Sequence, residues 1–304
     1  MEALLLGMRF IQFSSVLAML GSALFACYAY PKAQGKGNAE QSLGDFVQCL
    51  SRWCVPLALF SATGWLSCEG ALMSGNLDDY RNPAALATVL TQTQFGKVWS
   101  WRLLLLLTLS VALLARRKRD LAPWLLTLAA IVLTASLAAV GHSAMGSGAG
   151  AWLHLANQTL HLLAAGIWIG GLPALFFVMR AGGENARLAT VLGRFSAVGF
   201  AAVLVLLTSG LINSWLLVGS RHALLQTEYG RVLLVKIVFV GGMVALALFN
   251  RLWLMPRLDT DGRGGQVRLL LLRSVAVEQI FAIFALCVVS LLGTLPPALG
   301  VDGM

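Results

Sequence analysis

Trp152-Leu153-His154-Leu155-Ala156-Asn157-Gln158-Thr159-Leu160-His161-Leu162-Leu163-Ala164-Ala165-Gly166-Ile167-Trp168-Ile169-Gly170-Gly171-Leu172 opens a run, residues 152–179, that holds no Asp, Glu, Lys or Arg. A transmembrane helix needs about 20 mainly apolar residues, so this run is expected to cross a bilayer as one helix. It also carries His154 and His161, and His142 stands just ahead of it in Gly141-His142-Ser143. Three of the chain's four histidines therefore fall within twenty residues. Ionisable side chains are costly in lipid and usually face a bundle interior or a water-filled cavity. The cluster points to a metal ion or a haem held by a membrane protein.

Composition agrees with that solvent. The 304 residues are 58% hydrophobic and 12% charged, with mean hydropathy +0.80. Soluble domains are about 25% charged. The net charge of +9 fits basic loops beside a bilayer. No basic segment interleaved with aromatics supports nucleic-acid binding. Five cysteines (Cys27, Cys49, Cys54, Cys68, Cys287) form no C-x-x-C pair, and free Cys in apolar surroundings packs as a small hydrophobe. The first apolar run lacks a preceding basic region and reads as a retained helix rather than a cleaved signal.

Eight spans are expected: 8–30, 53–74, 98–115, 121–141, 152–179, 190–218, 232–254 and 271–295. The fold class is an all-α integral membrane protein. Fifteen of the 22 Lys and Arg lie on one set of alternating connections, including Arg116-Arg117-Lys118-Arg119, and seven on the other. Basic residues concentrate on the cytoplasmic side, which places both termini and all four histidines on the outer, periplasmic half.

Thr93-Gln94-Phe95-Gly96-Lys97-Val98…Arg102 recurs as Thr227-Glu228-Tyr229-Gly230-Arg231-Val232…Lys236. More weakly, Arg9-Phe10-Ile11-Gln12 plus Gly21 matches Thr159-Leu160-His161 plus Gly170. The expectation is two four-helix halves in parallel repeat, 1–141 and 142–304, with Gln12 standing where His161 stands. Arg102 and Lys236 are expected to snorkel from outer helix ends. Glu278 is expected to carry a proton or to pair with a cation such as Arg251 or Arg194.

His154 and His161 are seven residues apart, about 20° apart on one helical face and about 10 Å apart in depth. Metal–nitrogen bonds are near 2 Å, so one ion cannot be bound by both directly. They form rungs: His142 with His154 above, His161 below. Met145 in the outer loop, and Cys68 and Met73 on the second helix, are candidate soft ligands on the same side. Imidazole with sulfur favours copper over Mg²⁺ or Ca²⁺. Packing is the competing reading for each Met and Cys.

The run Gly141-His142, His154, His161-Leu162-Leu163-Ala164-Ala165-Gly166-Ile167-Trp168-Ile169-Gly170-Gly171-Leu172 resembles the copper resistance D (CopD) family of bacterial inner-membrane proteins. Arg194-Phe195-Ser196, Thr208-Ser209-Gly210-Leu211, Asn250-Arg251, Glu278 and Leu292-Gly293-Thr294-Leu295-Pro296-Pro297 extend the likeness over residues 141–298. The first 140 residues match only in hydropathy and Arg9-Phe10. The resemblance implies a multi-pass protein of copper homeostasis that works with a periplasmic copper carrier of the CopC type and moves copper inward. It carries a copper role to His142, His154 and His161. Relatives often have His in the first helix where this chain has Gln12.

Two other readings stay open. One is a b-type haem electron-transfer protein, which needs axial histidines on neighbouring helices. The other is a non-transporting copper sensor or docking scaffold. An enzyme is not expected, because no nucleophile–His–acid set appears at plausible spacing.

Overall fold

A computed structural model describes residues 1–30, 38–115, 121–140, 148–182, 185–258 and 264–298. His142 and Met145 lie outside the described residues. The described residues are helical, with no strand among them. The helices are α1 (Glu2–Tyr28), α2 (Asn38–Ser74), α3 (Pro83–Gln92), α4 (Gln94–Ala115), α5 (Pro123–Ser136), α6 (Ala149–Ile169), α7 (Leu172–Ala181), α8 (Asn185–Val218), α9 (Arg221–Gln226), α10 (Glu228–Phe249) and α11 (Gly264–Leu292).

Seven segments among the described residues are long and apolar enough to cross a membrane, with α6 and α7 counted as one. The expected second span, 53–74, is helical within α2 but is not one of the seven. Pro56, Ser61, Thr63, Gly64, Ser67 and Glu69 dilute its apolar run. Exposed Leu, Val, Ile and Phe side chains cover α4, α8, α10 and α11, the surface expected of helices facing lipid. Among the exposed tryptophans, Trp152, Trp215 and Trp124 lie within a turn of the ends of α6, α8 and α5. Tryptophan favours the two membrane interfaces.

Residues 152–179 do not form the single helix expected. The chain breaks between α6 and α7 at Gly170–Gly171, followed by Pro173 at the start of α7. Proline has no N–H to donate into the preceding turn. The break sits where α1 crosses. A Cβ on Gly21 would strike the Gly170–Gly171 backbone, and one on Gly170 would strike Leu17 O. The Ser22 hydroxyl donates to Gly170 O at 3.1 Å. Small residues let helices approach closely in lipid, where packing and hydrogen bonds drive association.

Two helix entries share one construction. Thr93 Oγ1 accepts from Gly96 N (2.8 Å) and donates to Val89 O (2.7 Å). Thr227 Oγ1 accepts from Gly230 N (3.0 Å) and donates to Ala223 O (2.6 Å). Each threonine thus satisfies an orphan N–H of α4 or α10. Each glycine gives room to the short helix before it, because a Cβ on Gly96 would meet Val89 O and one on Gly230 would meet Leu224 O. The short helices α3 and α9 were not legible as helices in the sequence.

The buried core has two large parts. One joins α1, α2, α4 and α5 around Trp65, Trp99 and Leu20. The other joins the second half of α1 with α6, α7, α8, α10 and α11 around Trp168, Leu175 and Met243. All five cysteines are free; Cys54 and Cys68 are buried, but Cys27 and Cys49 are exposed.

A candidate metal site between α6 and α8

The polar residues of α6 turn toward α8. Asn157 Nδ2 donates to Ser209 O (3.0 Å) and to Asn213 Oδ1 (2.9 Å). Asn213 Nδ2 donates to Gln158 Oε1 (2.8 Å), and Asn213 also faces His154. One helical turn deeper, His161 Nδ1 lies 3.0 Å from Ser209 Oγ. His154, Asn213, Gln158, Asn157, Ser209 and His161 therefore line one polar seam in an otherwise apolar bundle. His154 is half-buried at its end, and His161 is buried.

One tautomer of His161 fits these hydrogen bonds. The single Ser209 hydroxyl proton has two carbonyl acceptors, Val205 O at 2.5 Å and Leu206 O at 3.3 Å. The serine oxygen then accepts from His161 Nδ1–H, and Nε2 keeps its lone pair. Metal-bound histidines are held this way, with the second ring nitrogen donating to a fixed acceptor. Gly210 makes room for the ring: a Cβ there would lie 3.3 Å from His161 Cε1. Lys236 of α10 lies within electrostatic reach of His161.

The other candidates are placed differently. Cys68 is fully buried in the core shared by α1, α2 and α4, and Met73 is exposed at the end of α2. α2 packs on α1, α3, α4 and α7. Among the described residues, no three His, Cys, Asp or Glu side chains converge. Ser209, Gly210 and Asn213 were missed as site residues. Their signal was the polar pair Ser209 and Asn213, four apart and hence on one face of α8.

A second polar group lies between α1, α2 and α4. The amide orientation that satisfies its neighbours has Gln12 Nε2 donating to Ala58 O (2.7 Å) and Ser61 Oγ (2.6 Å), while Oε1 accepts from Arg102 Nη2 (2.5 Å). Arg102 also donates to Leu133 O (2.5 Å) and to Ser136 Oγ. Arg102 is fully buried, so it does not snorkel as expected; backbone and side-chain acceptors of α5 hold it inside. Gln12 is engaged through both amide atoms.

Glu278 is not paired with Arg251 or Arg194. Its Oε1 accepts from Asn250 Nδ2 at 2.6 Å. Arg251 instead donates to Ser196 O and Oγ, and Arg194 to Tyr28 O. A π-helical segment, Asn250–Leu254, follows α10 and carries Asn250.

Residues 1–152 match the family described as "Copper resistance protein D-like, N-terminal domain", and residues 189–292 match "Copper resistance protein D". The chain is 33% identical over 295 residues to the Escherichia coli K12 protein named "Inner membrane protein YebZ", covering 96% of this chain and 98% of that one. The chain belongs to the copper resistance protein D family. It is a multi-pass membrane protein of that family, and the E. coli relative is named for the inner membrane. "Copper resistance protein D" of Pseudomonas syringae pv. tomato is 28% identical, covering 97% of both chains. "Copper transport protein CutJ" of Bacillus subtilis is 28% identical over 237 residues, covering 75% of this chain and 42% of that protein. No solved structure matches the chain. The likeness reaches the N-terminal half, beyond the residues 141–298 whose motifs resemble the family.

Proposed function

We propose that this CopD-family protein takes copper on the periplasmic side of the inner membrane and carries it inward along the α6–α8 seam. The observation that supports this most is the buried His161 imidazole on α6, whose Nδ1 lies 3.0 Å from Ser209 Oγ and so leaves Nε2 for a metal when Nδ1 carries the proton. His154 lies about 10 Å from it along α6. That gap requires the ion to pass from one imidazole to the other rather than sit on both. His142 with His154 forms the entry rung, and His161 the deeper one. Met243, fully buried in the adjoining core, is the next soft donor inward.

The same reading has eight spans, with α2 as the eighth, and both termini in the periplasm, where a CopC-type carrier delivers copper. It keeps two parallel halves, 1–141 and 142–304. The matched trios Gln12–Ser61–Arg102 and His161–Ser209–Lys236 support it, as does the contact of Gly21 with Gly170. In this frame the first half holds a structural amide and the second half the metal-binding imidazole. The role is one of binding and movement rather than catalysis.

Copper uptake into proteoliposomes tests the proposal. Wild type should accumulate copper and His161→Ala should not. Uptake by His161→Ala at the wild-type rate would overturn it. Copper binding without uptake by wild type would favour a sensor or docking role.

A further inference from the structure

A cavity of about 180 Å³ lies deeper in the bundle than the histidine seam, bounded by α6, α7, α8, α10 and α11. Trp168, seven residues beyond His161 on α6, forms one wall; Phe195 and Phe200 of α8 form others. α8 packs mainly on α6, and α10 mainly on α11, so the seam between α8 and α10 is left open. Its rim carries Phe200, Leu204, Leu207 and Leu248, all exposed on the surface that faces lipid.

The floor of this apolar cavity is polar. Glu278 is 2% exposed and Asn250 is 8% exposed, joined by the 2.6 Å bond between them. Asn250 Oδ1 is buried with no hydrogen-bond partner. A buried acceptor left unpaired costs about 1–3 kcal/mol, so this one awaits a donor. Asn250 opens the π-helical segment, and π turns recur at functional sites.

We propose that this cavity binds the ring of a membrane quinol entering from the bilayer between α8 and α10. An apolar cavity of roughly 150 Å³ takes a benzene ring; the one here has room for a single substituted ring and not for a porphyrin. The flat ring lies against Trp168 and Phe195. One ring hydroxyl donates to Asn250 Oδ1, and the opposite ring oxygen or a substituent meets the Glu278 carboxyl. The tail leaves past Leu204 and Leu248 into lipid. A plain acyl chain would fill the walls but leave Asn250 Oδ1 unpaired. A phospholipid phosphate at the rim would compete with Ser196 for the Arg251 guanidinium.

The test uses the purified full chain in detergent, with decylubiquinol as probe and thermal unfolding and tryptophan fluorescence as readouts. Wild type should show saturable binding. Gly199→Leu should abolish it, because the new side chain grows into the cavity; its Cβ would meet only Trp168 Cδ1, at 3.8 Å. Asn250→Leu should raise Kd at least tenfold, and Glu278→Gln, which keeps the volume, at least threefold. His161→Ala should bind the quinol as wild type does, since copper plays no part in this site. No saturable binding by wild type would overturn the proposal. So would an unchanged Kd in Glu278→Gln and Gly199→Leu, or equal competition by stearic acid, which would mark an acyl-chain site.

Discussion

Ser209 Oγ stands 3.0 Å from His161 Nδ1 and donates its own hydrogen bond to Val205 O. This arrangement suits a His161 protonated on Nδ1, with Nε2 left to bind a metal. Loss of such a supporting partner typically costs 10–100-fold in metal affinity. Ser209→Ala should therefore weaken copper binding by roughly that factor while leaving the fold intact. A copper titration of the purified variant measures it, and an affinity equal to wild type would remove Ser209 from the account.

Gly210 controls the ring's position. A Cβ there meets His161 Cε1 at 3.3 Å, a contact the ring relieves by moving a few tenths of an ångström. Gly210→Ala should weaken copper binding less than Ser209→Ala, and Gly210→Val more than Gly210→Ala. The graded order, read in the same titration, separates steric displacement from loss of the hydrogen bond.

The crossing of α1 and α6 tolerates no side chain at Gly21, where a Cβ would meet the Gly170–Gly171 backbone. Overpacking a well-packed core costs about 1–3 kcal/mol. Here the obstacle is backbone, so Gly21→Ala should destabilise by at least about 2 kcal/mol. Thermal unfolding in detergent should show a lowered midpoint beside a Gly7→Ala control, whose added Cβ meets nothing within 4 Å.

Arg102 joins Gln12, Leu133 and Ser136 across three helices. Arg102→Ala removes the donor to Gln12 Oε1, at about 1–3 kcal/mol for a buried acceptor left unpaired, while Leu133 O keeps its bond from the Ser136 hydroxyl. The variant should unfold at lower temperature. The copper affinity of whatever folded protein remains should be unchanged, because His161 packs on α8 and not on α4. A selective loss of copper binding with full stability would contradict the division of roles between the two trios.

The elements that the sequence displayed were those set by local pattern. Long apolar runs announced the spans, and Thr93 and Thr227 with their glycines announced two helix entries. The seven-residue spacing put His154 and His161 on one face. What remained hidden depends on partners distant in sequence. Ser209 and Asn213 matter because α8 happens to face α6. Glu278 meets Asn250, 28 residues away in sequence, rather than an arginine. Cys68 and Met73 looked close to the histidines by depth alone, yet α2 packs elsewhere. Arg102 stands near a helix end, where snorkelling is expected, but the groups that hold it inside belong to α5 and α1.

The central claim is that His161 binds copper through Nε2. Copper content after equilibrium dialysis tests it most directly, comparing wild type with His161→Ala, both shown folded by thermal unfolding. The account predicts that wild type retains copper and that His161→Ala loses the tightly bound ion. Equal copper content in the two proteins would contradict it.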